Sequence, residues 1–414
     1  MRVLVTGGPV HAKIDAVKFV TNRFKGGLMA DLALKMAIVG EDVTYLCSKD
    51  SKKPACGYDT EGTWAGMAGG GKPSDAFKGP HVRYHDGFHD YHEKVLEMAE
   101  DYDCVVLGAA VANLLPVSYE CRDVGRAKAA VHLPLEGKFP SHDFKPGDRF
   151  LMTWQIAPRI IDEVRAKMKP GAHLFGFKLL GGAPHEELIT AAYGVLLESK
   201  ATMVFANDAT ALACVYGVGK DRSVHKMNRT GIGEAIRTLC ADGYYRTVVE
   251  DDWAEAARQT ATDIMFECGF DELKGTVDEL FPESPEGMIF GTVAIRYGNG
   301  FITTGRGKRE LEDIVRVTSV EHDGPRVVHT LGGKATLNAP LLDMLFKGAH
   351  GCERIVHYHQ QVEGLPTEPW APPGTVRDSV RPDWFNPPRA VGHWSFNIKG
   401  HGCYLLYDKD GNQL

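Results

Sequence analysis

The stretches MRVLVTGG (residues 1–8), GGLMADLALKMAIVG (26–40) and VTYLC (43–47) decide the fold of this chain of 414 residues. Arg2 to Thr6 is a short apolar run that stops at Gly7-Gly8, the pattern of a buried strand meeting a tight turn. From Gly26 to Val39 apolar residues recur at helical spacing, and Gly40 ends the run. Val43 to Cys47 reads as the next strand. Strand, helix and strand in this order predict a βαβ unit and therefore a parallel sheet.

The same reading extends along the chain. Residues 51–80 are rich in Gly, Lys, Pro and Ser and read as a long excursion. A helix over 92–100 precedes a core strand at Tyr102 to Ala110, YDCVVLGAA. Residues 117–150 read as an irregular, polar flap. Helices follow at Pro158 to Met168 and Glu186 to Ser199, with strands at His173 to Phe177 and Thr202 to Ala206. The pattern changes near 245: a long amphipathic helix, Trp253 to Phe270, is followed by short strands at 289–296, 300–304, 313–319 and 325–331. A helix at Ala339 to Phe346, a strand at Arg354 to His359, a proline-rich loop from Pro366 to Pro388 and a strand at Gly402 to Tyr407 complete the reading. The expected architecture is α/β, a Rossmann-like parallel-sheet domain over 1–244 and an α/β/α domain with a mixed or antiparallel sheet over 245–414.

A net charge of -7 gives no electrostatic reason to bind nucleic acid or an anionic membrane. Nine scattered cysteines, without a C-x-x-C, fit reduced thiols better than a disulfide framework. No stretch approaches the ~20 apolar residues of a membrane span, and MRVLVTGG runs into a strand rather than a signal peptide. The expectation is a soluble, cytoplasmic enzyme.

Gly7, Gly8, Gly26 and Gly27 flank a turn and open a helix, where backbone N–H groups and the helix dipole favour a phosphate. Read singly they fit an ordinary sharp turn as well, and Asn22 fits a helix cap. Read in order, VLVTGG…IDAVKFVTN…GG, VVLGAAVANLLP, GKFPS, LFGFKL and MVFAND resemble the phosphopantothenoylcysteine synthetase (phosphopantothenate–cysteine ligase) family over roughly residues 1–240. The resemblance implies a carboxylate–amine ligase that uses CTP or ATP with Mg²⁺ and passes through an acyl-nucleotide. Asn22, seven positions after Asp15, falls on the asparagine that holds this intermediate, and Lys138 on the flap lysine that meets charge at the α-phosphate. Ala109, Ala110 and Ala112 fall beside the nucleotide, while Phe177, Asn207 and Asp208 fall on segments framing base and ribose. The chain departs from the family at Asn113 and Leu114, which replace an acid and an aromatic. It departs again at Phe24-Lys25-Gly26, which replaces Ser-Ser-Gly, and at Pro9, where a threonine is common. These changes bear on which nucleotide and acid are used.

His357 and His359 are two apart on an expected strand and so share a face; His401, in GHG, offers a third imidazole. The order GTVAIR, GFITTGRGK, KATLNAPLL, IVHYHQ, GHG resembles the class II aldolase/adducin family over about 250–414. That resemblance implies a Zn²⁺ site at the three histidines. It also implies substrate-phosphate segments at Gly291, Thr292, Thr304, Gly305 and Thr336. The family's acid/base glutamate sits nineteen positions before the first histidine, where this chain has Asn338, which cannot shuttle a proton. The chain also stops soon after GHG, where the family continues with helices. His85, His89 and His92 are helically spaced and read as a solvated face; Cys56 and Cys121 have no nearby base. The combined reading is an amide-forming ligase fused to a zinc domain, acting on small molecules as at least a dimer. A zinc lyase or dehydratase with a non-catalytic Rossmann-like half, and a nucleotide-sensing scaffold, are the alternatives.

Overall fold

Val3, Leu4 and Val5 are fully buried, as a continuous apolar run is at the centre of a parallel sheet. Their strand, Arg2–Gly7, pairs in parallel with Asp42–Ser48 on one side and Cys104–Leu107 on the other. His81–His85 and Tyr58–Asp59 extend the first side; His173–Leu180 and Met203–Asp208 extend the second, all parallel. The helix Gly27–Ile38 packs on Arg2–Gly7 and Asp42–Ser48, burying Met29, Leu32, Ala33 and Met36. The chain therefore leaves the first strand toward one side of the sheet and later returns on the other. That change of direction creates a crevice at the carboxyl ends of Arg2–Gly7 and Cys104–Leu107, where open α/β sheets bind ligands.

The structure is a computed structural model and describes residues 1–59, 79–121, 130–220, 222–241, 243–250, 253–267, 287–379 and 394–414. Parts of the expected 51–80 excursion, the 117–150 flap, the Trp253 to Phe270 helix and the Pro366 to Pro388 loop lie outside the described residues. The chain divides into two compact units. The first comprises Met1–Gly182, Gly194–Ala213 and Asn228–Ile236; the second comprises Ala183–Tyr193, Cys214–Met227 and Arg237–Leu414.

The flap expectation needs correction. Leu114–Cys121 and Phe150–Ile156 are strands, joined antiparallel in a three-stranded sheet with Val131–His132. The register shifts between Pro116 and Ser118, a bulge that accommodates a residue with no N–H. His85 is corrected too. It ends the strand His81–His85 and is buried, whereas the helix begins at Phe88.

In the second unit a nine-stranded sheet is mixed, as the sequence pattern implies. Its centre, from Ile314–Glu321 through Gly300–Thr304, Thr292–Tyr297 and Arg354–Tyr358 to Gly402–Tyr407, is antiparallel. The strand Arg246–Glu250, unread in the sequence, adds a parallel edge against Val327–Leu331. The helix Ala339–Gly348 packs its Leu341, Leu342 and Leu345 with Ile355, Tyr404 and Leu406 on one face. The helix Glu255–Met265 contributes Ala261 and Met265 to the other face, beside Val356 and Leu405. Neighbours along each strand thus alternate between the two cores.

Candidate functional site

In the first unit a cavity of about 630 Å³ opens at the sheet's change of direction. Asn22, Gly26, Gly27, Ala109, Phe177 and Asn207 line it, with Ala110 beside them. Its floor is the start of the helix Gly27–Ile38. The first intrahelical bond there runs from Ala30 N–H to the Gly26 carbonyl, so the N–H groups of Gly27, Leu28 and Met29 precede the ladder. That end has no side-chain cap and no acid in its first turn. Lys25 and Lys52 flank it, and Lys52 Nζ lies 3.7 Å from where a Gly27 Cβ would stand. Arg229 adds a third cation to the wall, opposed by Asp31. The arrangement suits a polyanion.

Gly7 and Gly8 work beneath this floor rather than in its wall. Gly26 has φ +80°, and a Cβ there would come within 2.3 Å of the Gly8 nitrogen, so turn and helix start meet backbone to backbone. Asn22 is exposed, and its Nδ2 donates to the carbonyls of Ala110 (3.2 Å) and Val111 (3.0 Å). Both its N–H bonds are engaged, so the amide presents an acceptor oxygen.

Other expected residues fall further away. Ala112 is buried; Asn113 is exposed, and its carbonyl accepts Ala157 N–H at 3.0 Å. Asp208 Oδ1 accepts Gly182 N–H, Thr210 N–H and the Thr210 hydroxyl, and these donors, Gly182 first, hold its carboxyl below the usual range. This is a turn-capping arrangement. Lys138 is exposed, on a loop joined to the hairpin that precedes Asn22. The sequence reading missed Lys52 and Arg229, for which no motif gave a signal; Lys25 was visible as a departure.

In the second unit His357, His359 and His401 come together. One nitrogen from each lies within 4.8 Å of the others, and the ring centroids are 5.1, 4.6 and 5.4 Å apart. Strand alternation puts His357 and His359 on one face, and the turn at Lys399-Gly400 brings in His401. Gly402, with φ +111°, makes this possible: a Cβ would stand 2.0 Å from the Tyr358 carbonyl oxygen. His357 Nδ1 donates to the Cys403 carbonyl at 2.8 Å, which leaves Nε2 as the lone-pair nitrogen. Tyr404 stacks on that ring at 4.3 Å. Two buried imidazoles beside a half-buried third, with one tautomer fixed by a carbonyl, fit a zinc-type donor set.

Thr292 lies opposite His357 in the sheet, its hydroxyl donates to Thr336 Oγ1 at 3.0 Å, and Asn338 N–H reaches Thr336 Oγ1 at 3.4 Å. Three of the expected second-site residues therefore form a chain beginning across from a candidate ligand. Thr304 Oγ1 and Asn338 Oδ1 are buried without a hydrogen-bond partner among the described residues. Gly305 N–H bonds the Asp313 carbonyl at 2.6 Å and joins Ala335 in a bridge, so it shapes the loop. Lys308, not foreseen, is 5 % exposed and donates to the Gly291 carbonyl at 2.5 Å; burial lowers its ammonium to about 7.

No protein-family model matches the chain. Over 241 residues it is 26% identical to the coenzyme A biosynthesis bifunctional protein CoaBC of Thermococcus kodakarensis, covering 57% of this chain and 49% of that one. The chain thus spans about half the length of that curated relative. Among solved structures it is similar to the DNA/pantothenate metabolism flavoprotein of Streptococcus pneumoniae, with TM-score 0.43, 20% identity, 56% of this chain and 95% of that one. It is also similar to L-fuculose-1-phosphate aldolase from Thermus thermophilus, with TM-score 0.25, 14% identity, 36% of this chain and 80% of that one. The curated relative is of the first of the two kinds read in the sequence, a coenzyme A biosynthesis protein.

Proposed function

We propose that residues 1–244 act as a nucleoside-triphosphate-dependent carboxylate–amine ligase, and that residues 245–414 form a zinc-binding domain. The observation that carries the first part is the cavity at the sheet's change of direction, where an uncapped helix start and Lys25, Lys52 and Arg229 face Asn22 and Phe177. The similarity to a coenzyme A biosynthesis protein supports the same reading. A carboxylate oxygen attacks the α-phosphorus of CTP or ATP, bound with Mg²⁺, and pyrophosphate leaves. The amine nitrogen then attacks the acyl carbon, the nucleoside monophosphate leaves, and the nitrogen loses its proton. The N–H groups of the helix start and the lysines meet the phosphates; the Asn22 acceptor oxygen holds a hydroxyl or amine N–H of the reacting acid or amine. Lys138 meets charge at the α-phosphate when its loop is in place.

His357, His359 and His401 would hold zinc and leave a coordination position open. When bound, zinc polarises a carbonyl. Thr292, Thr336 and Asn338 offer hydrogen bonds to a ligand beside it but no proton carrier. The strand Phe150–Ile156 supports a dimer. It is an edge, it carries no charge, and it exposes Leu151, Trp154 and Ile156, the last by 75%.

The test is pyrophosphate release from CTP or ATP with a panel of carboxylates beginning with phosphopantothenate, and cysteine as amine. Release only with a carboxylate, lost in Asn22→Asp, is expected; no turnover with any pair refutes the ligase. Metal analysis should give one zinc per chain, lost in His357→Ala. A metal-free wild type purified without chelator refutes the second part.

A further inference from the structure

Asp15 joins the two groups on which the proposed ligase chemistry depends. It lies at the tip of a hairpin, Ala12–Lys13 paired with Phe19–Val20, whose outgoing strand leads to Asn22. Its Oδ1 accepts Val17 N–H at 2.7 Å and Lys18 N–H at 2.5 Å, which closes the turn. Its Oδ2 accepts Phe139 N–H at 2.8 Å and the Lys18 ammonium at 3.2 Å. Phe139 follows Lys138 directly. Two backbone bonds reinforce the joint: Ala16 N–H to the Gly137 carbonyl at 3.2 Å, and Leu135 N–H to the Ile14 carbonyl at 3.0 Å.

The carboxylate is buried, 2 % exposed, with each oxygen taking two donors. Burial alone would raise its pKa, but the backbone N–H groups of Lys18, Phe139 and Val17, with the Lys18 side chain, hold it well below the usual carboxylate range. It is an anion throughout the range in which enzymes work.

We propose that Asp15 is the positioning residue that sets the Lys138 loop against the hairpin carrying Asn22. The proposal rests on the ligase reading. Its two oxygens divide the work, one for the hairpin turn and one for the loop. That division makes Asp15→Asn selective: an amide keeps an oxygen for Val17 and Lys18 N–H, while its NH₂ faces the Phe139 N–H and the Lys18 ammonium, both donors. The turn survives and the loop contact is repelled. Asp15→Ala releases both.

The experiment compares wild type, Asp15→Asn, Asp15→Ala, Lys138→Ala and the Asp15→Asn/Lys138→Ala double variant by hydrogen exchange and steady-state kinetics. In Asp15→Asn, residues 135–139 should exchange at least about tenfold faster while 14–20 keep their protection; in Asp15→Ala both segments should lose it. For Asp15→Asn, kcat should fall at least about tenfold with KM for the nucleotide nearly unchanged, and adding Lys138→Ala should cost nothing more than that change alone. Unchanged exchange at 135–139, or losses that multiply in the double variant, overturns the proposal. A wild type that forms no amide overturns the ligase reading instead, and the exchange data still decide whether Asp15 tethers the loop. Should Asp15→Asn fail to fold, Phe139→Pro removes the same N–H from the loop side and is read in the same way.

Discussion

Lys308 gives the structure its sharpest thermodynamic prediction. The side chain is almost fully buried in the second unit, and its Nζ donates to the Gly291 carbonyl at 2.5 Å. Burial lowers its pKa from 10.5 to about 7, with Asp313 opposing the fall. At ~1.36 kcal/mol per pH unit, that fall corresponds to about 5 kcal/mol of stability withheld whenever both folded and unfolded chains carry the proton. The sign follows from a depressed lysine: the unfolded chain binds the extra proton between pH 7 and 10.5, so stability rises with pH across that window and levels off below it.

Lys308→Met keeps the length and removes the charge. It also leaves the Gly291 carbonyl without its donor, a loss of about 1–3 kcal/mol. Below pH 7 the variant should therefore be more stable than wild type by about 2–4 kcal/mol; at pH 10, where about 1 kcal/mol of the lysine penalty remains, it should be less stable by about 0–2 kcal/mol. The two curves should cross between about pH 8 and 10 by the same reckoning. A chain of two units need not unfold in one step, so the assay is hydrogen exchange in Thr292–Tyr297 and Gly300–Thr304, read as opening free energy at several pH values. Parallel curves for the two proteins between pH 6.5 and 10 would refute the assignment of a strained, buried ammonium.

Further outcomes follow from particular contacts. Gly402→Ala must place a methyl 2.0 Å from the Tyr358 oxygen at φ +111°, so it should lower the second unit's stability by about 3 kcal/mol or more and abolish zinc uptake; calorimetry and metal analysis check both. Trp154→Lys puts a charge on the exposed edge strand and should shift the protein toward monomer in sedimentation, whereas an unchanged dimer would show that copies meet elsewhere.

Much of this architecture was legible because single segments carried one unambiguous period. VLVTG is apolar throughout and became a central parallel strand, while GLMADLALKMAI kept helical spacing and became the helix beneath the cavity. The histidines were legible because strand alternation alone puts His357 and His359 on one face. What escaped depended on partners distant in the chain. FLMTWQI has no alternation, and its strand exists because Leu114–Cys121 offers it an edge. His85 resembled a helix residue beside His89 and His92, but the parallel pairing of Ser48 with His85 places it at a strand's end. Gly7 and Gly8 were read as phosphate ligands from their motif; their contact with Gly26 and Ser51 gives them a packing task. The burial of Lys308 has no sequence signal, since GRGK carries no apolar period.

The acyl-nucleotide is the central claim, and oxygen transfer tests it most directly. With a substrate carboxylate labelled with ¹⁸O, attack on the α-phosphorus and later release of the nucleotide must carry one labelled oxygen into the nucleoside monophosphate. Mass spectrometry of that product should show the label, with none in pyrophosphate and one retained in the amide carbonyl. Label appearing in orthophosphate, or amide formed with an unlabelled monophosphate, would contradict the account.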